Sequence, residues 1–202
     1  AAYSASDVVT LPTQYNGTGY IAVLVDPAGA VTEPNRGSEY IAGPAPIAIT
    51  AHYSDLTAEA VSAPATAHDG DVISISWRVR NLGDSPTATG GWTDKVYLSQ
   101  TDSVTASSIL LGEVPHTTEL DVGASYTTKA NFALPGGITG GYHVLVVTDA
   151  NAGNYQAGRT SNDTAEAPGS LLINAQPSPD LTVTAVSIPD TTVPGVPTTV
   201  TF

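Results

Sequence analysis

Apolar and polar side chains alternate along most of this chain. Ile73, Ile75, Trp77 and Val79 interleave with Ser74, Ser76, Arg78 and Arg80. A period of two places one set on a buried face and the other in solvent, which predicts a half-buried strand. Tyr126, Ala130, Phe132 and Leu134 line one face of a second strand, opposite Thr127, Lys129 and Asn131. Tyr142–Val147 is nearly all apolar, as in a central strand. Asp55–Val61, Trp92–Leu98, Ser108–Val114 and Ala165–Ile173 supply the remaining strands. Turn signals separate them: Asp69-Gly70, Asn81-Leu82-Gly83-Asp84, Gly90-Gly91, Pro135-Gly136-Gly137 and Gly140-Gly141. No stretch sustains a period of 3.6. About seven strands with a turn every 8–12 residues predict an all-β sandwich.

The pattern recurs. With an offset of 123, Tyr126 falls on Tyr3, Leu134-Pro135 on Leu11-Pro12, Asp149 on Asp26 and Arg159 on Arg36. With an offset of 125, residues 179–202 match 54–77 at nine of 24 positions. A domain-sized period means similar modules in tandem, each with its own core. The expected organisation is one complete module at 54–174, the C-terminal part of another at 1–50, and the N-terminal strands of a third at 180–202. Gly43-Pro44-Ala45-Pro46 and Gln176-Pro177-Ser178-Pro179 read as short, semi-rigid linkers. There is no Met, and Thr198–Phe202 stops inside an alternating run. The expectation is a piece of a longer polypeptide, or a subunit completed by its neighbours.

Composition narrows the function. Only 12% of residues are charged, with 19 acids against six bases and a net charge of −13. Such a surface lacks the basic footprint of a nucleic-acid binder and is repelled by anionic lipid. With no Cys, disulfides and thiolate metal sites are excluded. No apolar run reaches the ~18–20 residues needed to span a bilayer.

Four stretches carry a family likeness: Asp55-Leu56-Thr57 with Pro64; Ile75-Ser76-Trp77-Arg78-Val79-Arg80-Asn81-Leu82-Gly83; Trp92-Thr93-Asp94-Lys95-Val96-Tyr97-Leu98-Ser99; and Leu134-Pro135 followed by Gly140-Gly141-Tyr142 and Val146-Val147-Thr148-Asp149. Together they resemble CARDB, the cell adhesion related domain found in bacteria. The resemblance implies immunoglobulin-like β-sandwich modules in tandem, in large secreted or surface proteins of bacteria and archaea. Members serve as spacers or adhesion modules, and no catalytic residues carry over. One departure concerns the acidic, Asn-rich run that follows the long strand in many members. The first copy keeps only Glu33 and Asn35 of it, and the second only Asn162-Asp163.

Candidate chemistry is sparse. Asp94, Asp102, Asp149 and Asn151, with Asp163, are hard oxygen ligands near strand ends, and Ca²⁺ takes six to eight such oxygens. The same residue types also cap turns and tolerate left-handed backbone, so turn chemistry is the competing reading. His52, His68, His116 and His143 have no partners at metal spacing on one strand face, and no G-x-S-x-G motif occurs. Trp77 reads as core. Trp92, after two glycines, reads first as an edge-strand aromatic covering the core; left half exposed, it could instead join Tyr15, Tyr40 and Tyr155 in stacking on sugars. That supports a rival reading, a carbohydrate-binding accessory module of a secreted hydrolase. The Asp149–Arg159 spacing, repeated as Asp26–Arg36, predicts an ion pair pinning the following loop.

The best overall reading is a non-enzymatic, extracellular or cell-surface structural and adhesive protein. Its partners are other copies joined head to tail, or neighbouring modules of the same chain, with surface glycans as a further class. The incomplete end modules could be completed by strand addition between copies, which propagates into a filament.

Overall fold

The computed structural model describes residues 4–12, 15–32, 40–177 and 179–202. Tyr3, Glu33, Asn35, Arg36 and Ser178, named above, lie outside the described residues. Thirteen strands are formed among the described residues, and no helix.

Nine strands build residues 54–174 into two facing sheets. The first contains β5 (Leu56–Ser62), β7 (Val72–Asn81) and β10 (Ser125–Ala133), in the order β10-β7-β5. The second contains β6 (Thr66–His68), β8 (Trp92–Ser99), β9 (Ile109–His116), β11 (Gly140–Val147) and β13 (Leu171–Asn174), in the order β6-β13-β11-β8-β9. A short β12 (Thr164–Glu166) also pairs with β11. Every pairing in the module is antiparallel except β6 with β13.

The alternation reads out as packing. Ile73, Ile75, Trp77 and Val79 on β7 meet Phe132 and Leu134 beside them, and Val96, Leu98, Val144, Val146, Leu171 and Ile173 from the other sheet. Burial of these side chains drives the fold, each full Val, Leu or Ile worth about 1.5–3 kcal/mol. Trp77 is completely buried, with its ring centroid 6.5 Å from that of Phe132.

Two departures from the sequence reading have backbone causes. Ala165–Ile173, read as one strand, is two, because Pro168 cannot donate and Gly169 has φ +76°. Asp55–Val61 runs on to Ser62, and the chain then crosses to the other sheet as β6. The crossing follows a bulge at Ala60 (φ +52°), where the register between β5 and β7 shifts.

The flanking segments repeat the module's pairings. In residues 1–50, β1 (Gly17–Gly19) pairs with β4 (Ile47–Ile49), and β2 (Ala22–Leu24) with β3 (Tyr40–Ala42). Gly17↔Ile49 corresponds to Gly140↔Ile173, and Leu24↔Tyr40 to Val147↔Thr164. Gly43-Pro44-Ala45-Pro46 joins β3 to β4 and is not a linker; its Gly43 N–H donates to Ile21 O as Ala167 N–H donates to Val144 O. At the other end, the bridge Ser187↔Thr201 repeats Ser62↔Ser76. What the flanks lack is cover. Leu181 is 90% exposed and Phe202 89%, where Leu56 and Trp77 are both at 0%.

Candidate functional site

The strand period that buries Trp92, Val96 and Leu98 also carries Asp94 into the core. A buried carboxyl survives there only if its oxygens are satisfied. Four side chains do this. Trp77 Nε1–H (2.8 Å) and the Tyr126 hydroxyl (2.5 Å) donate to Oδ2; Trp92 Nε1–H (3.2 Å) and the Thr148 hydroxyl (2.7 Å) donate to Oδ1. The donors come from β7, β8, β10 and the residue just after β11, so one side chain joins the two sheets. His116 stacks on Tyr126 with centroids 4.0 Å apart and meets Trp92 at 4.3 Å with the rings tilted by 38°. Burial lowers the His116 pKa from its ordinary value; burial first, then Asp94, raises that of Tyr126.

The second polar centre is the loop between β11 and β12. Asp149 has left-handed backbone (φ +48°) and accepts from the N–H groups of Gly153 (2.7 Å) and Asn154 (3.1 Å). Asp26 does the same in the first copy: φ is +45°, and Ala30 and Val31 donate at 2.8 Å each. The recurrent Asp is therefore a loop anchor that gathers the amides four and five residues on. Gln156 sits between two carboxyls, its Nε2 donating to Asp149 Oδ2 (3.3 Å) and Asp163 Oδ2 (3.0 Å), while its Oε1 accepts from Leu56 N–H (2.7 Å) across the sandwich. Asp163 is only 6% exposed, and its Oδ1 has no hydrogen-bond partner among the described residues.

Burial pushes the Asp163 pKa up to about 7, and burial also raises Asp149. Folding thus favours the protonated Asp163. Its contribution is complete below the ordinary value of 3.8 and is lost as pH rises through about 7. Asp163→Asn keeps an acceptor for Gln156 and places a donor on the orphaned side. The variant is expected to gain melting temperature over the parent at pH 8 and little at pH 4, measured by thermal denaturation at the two pH values. A larger gain at pH 4 contradicts this assignment.

The residues expected to hold calcium do not converge. Asp94 is enclosed by its four donors, Asn151 Oδ1 accepts from Thr93 N–H (2.9 Å), Asp149 holds its loop, and Asp102 is exposed between β8 and β9. Among the described residues, no three of His, Asp and Glu gather at metal-holding separations. Arg159 does not pair with Asp149. Its Nη1 lies 3.7 Å from Asp55 Oδ2 and its guanidinium 4.7 Å from the Tyr53 ring centroid. Trp92 is 2% exposed and covers the core, so the alternative of a half-open stacking face is absent there. Tyr15 and Tyr155 are exposed on separate segments, and the side chain of Tyr40 lies outside the described residues. His143 faces Glu166 at the surface.

Carboxylates that the sequence marked only as turns hold the chain on its way in and out. Asp84 accepts from Tyr53 N–H (3.0 Å) and faces His52 Nδ1 at 2.9 Å, fixing the backbone just before β5. Asp69 accepts from Gln176 N–H (2.6 Å) and Gly137 N–H (2.7 Å), and Asp71 accepts from Gln176 Nε2 (3.0 Å), fixing the backbone just after β13. These backbone donors are the main cause of lowered pKa values at Asp69 and Asp84. Both contacts therefore contribute above the ordinary carboxylate range and are lost as pH falls through the lowered values.

The profile of the CARDB family matches residues 53–166, more than half of the chain. The chain belongs to the CARDB family. The matched span runs from just before β5 through β12 and stops short of β13; both flanks lie outside it. No curated protein matches the chain. Among solved structures, a CARDB domain from Pyrococcus furiosus in complex with di-metal ions is 16% identical, with 60% of this chain and 90% of that one covered and a TM-score of 0.44. A β-glucosidase from Listeria innocua in complex with glucose is also 16% identical, with 61% of this chain but 17% of the enzyme covered and a TM-score of 0.38. Membership of a cell adhesion related family points to a structural rather than a catalytic domain. No helix among the described residues is long and apolar enough to cross a membrane.

Proposed function

We propose that this CARDB chain is a load-bearing, adhesive segment of an extracellular or cell-surface array. The observation that supports it most is where the module is held. Leu56 at the start of β5 lies opposite Asn81 at the end of β7, whereas β6 finishes beside the start of β7. Since β13 runs parallel to β6, the incoming and outgoing backbones leave opposite ends of the sandwich. Each is fastened to the module by a carboxylate. A spacer needs this arrangement, because it transmits length and orientation from one neighbour to the next.

The exposed flanks pair with modules of like design, in a neighbouring copy or in continuation of the chain. The β7–β10 register supplies the template: Phe132↔Ile73 and Thr128↔Trp77 correspond to Val9↔Thr198 and Ala5↔Phe202. If neighbouring copies supply the strands, sedimentation will show self-association that disappears when residues 180–202 are deleted. Association unchanged by the deletion contradicts strand addition between copies.

The outgoing fastening has its own test. Asp69→Ala removes the acceptor of the Gln176 and Gly137 amides. Hydrogen exchange at Gln176 is expected to accelerate at pH 7 with the core strands unaffected; unchanged protection at Gln176 counts against the fastening.

A further inference from the structure

We propose that the parallel β6–β13 ladder is the mechanical clamp of the module, the element that sets the force at which it opens when pulled through its linkers. The direction of load follows from topology. Force applied at Tyr53 draws β5 and β6 towards one end of the sandwich, and force at Gln176 draws β13 towards the other. Neighbouring strands β6 and β13 are thereby dragged along their own length in opposite senses. Their hydrogen bonds lie across the direction of pull, so all of them carry load together and must fail together. An antiparallel hairpin pulled open from its free ends loads one bond at a time and parts at lower force.

The ladder is short but reinforced. Leu172, Ile173 and Asn174 register with Thr66, Ala67 and His68. Leu172 N–H donates to Ala65 O (2.9 Å) and Asp69 N–H to Asn174 O (2.9 Å), extending the pairing at each end. Beyond it, Asp69 and Asp71 take the backbone N–H and the side-chain amide of Gln176, so the two strands are also tied through side chains at the point where load enters β13. Leu171 and Ile173 are buried, and sliding β13 would draw both out of the core. The other end is secured by different contacts: Leu56 N–H to Gln156 Oε1 (2.7 Å) and Ala58 N–H to Asn162 O (3.1 Å) hold β5 to the β11–β12 loop. A pull along the sandwich thus meets sheared contacts at both attachment strands, and the parallel pair bridges them.

The clamp's biological use rests on the load-bearing role; the clamp itself is a property of single molecules and is measured independently of that role. The chain has no Cys, so handles can be placed at any chosen pair of introduced cysteines. Single-molecule pulling would compare two geometries in the full chain. In the first, handles at the two termini load β6 against β13, and opening of residues 54–174 releases roughly 400 Å of chain. In the second, Thr89→Cys and Thr118→Cys place the handles at the open end of the β8–β9 hairpin, which then unzips. The end-to-end opening force is expected to be at least twofold higher than the hairpin force. Ala67→Pro, which removes a ladder N–H, is expected to lower the end-to-end force by at least a third and leave the hairpin force unchanged. Asp69→Ala, on the surface, is expected to lower it by a smaller amount and serves if the proline variant fails to fold. Equal forces in the two geometries overturn the proposal, as does an end-to-end force that the folded variants leave unchanged. A proper clamp in a protein that forms no array would retain the mechanical result and defeat only the functional reading.

Discussion

Asp94→Ala is expected to lower the stability of the module by about 4 kcal/mol, because each buried donor left without an acceptor costs ~1–3 kcal/mol. Two indole N–H groups, on Trp77 and Trp92, then face a cavity with no acceptor. Neither can turn away, because both rings are packed in the core. The hydroxyls of Tyr126 and Thr148 can rotate, so their loss is partial. For a domain of this size, the change corresponds to a fall in melting temperature of roughly 15 °C. Tyr126→Phe removes a single donor and leaves three on Asp94; its expected cost is about 1–2 kcal/mol. Calorimetry on the two variants separates a network centred on Asp94 from simple loss of packing. Similar losses in both would argue against it.

Gly91→Ala is expected to cost about 2–5 kcal/mol, from ~1–2 kcal/mol of left-handed backbone strain and ~1–3 kcal/mol of forced repacking. Gly91 has φ +73°, and a Cβ there would lie 2.1 Å from His116 O, deep inside a backbone contact. The displaced strand would be β9, whose His116 stacks on Tyr126 and packs against Trp92, so the damage reaches the Asp94 centre. Gly90, one residue earlier, meets nothing within 4 Å of a built Cβ and has no such backbone angle. Gly90→Ala is expected to change stability by less than ~0.5 kcal/mol. Chemical denaturation of the pair is the check, and equal midpoints would refute this account of the glycine pair.

The strands were legible because solvent on one side and core on the other write a period of two into the sequence, clearest at Ile73–Val79. Asp26 and Asp149, matched by offset alone, share a left-handed conformation and accept from the amides four and five residues on. The role of Asp94 was not legible. Its parity with Trp92 and Val96 placed it inward, but nothing local shows that residues 17 and 32 positions away bring their N–H and O–H groups to it. Short strand β6 was missed for a related reason. Thr66-Ala67-His68 is too brief to show a period, and its partner lies more than a hundred residues on. Gly43–Pro46 looked like a linker because a proline-bearing break inside a strand pair and a proline-bearing joint between modules have the same composition. The fastening carboxylates Asp69 and Asp84 sat in segments correctly read as turns; the N–H groups they accept belong to distant chain.

Electron micrographs of the native material, imaged where it is made, put the largest question to this account. Continuous strings of sandwich-sized beads at the surface or outside the cell are the expected result. Discrete compact particles, with the module folded back against a larger catalytic body, would contradict it.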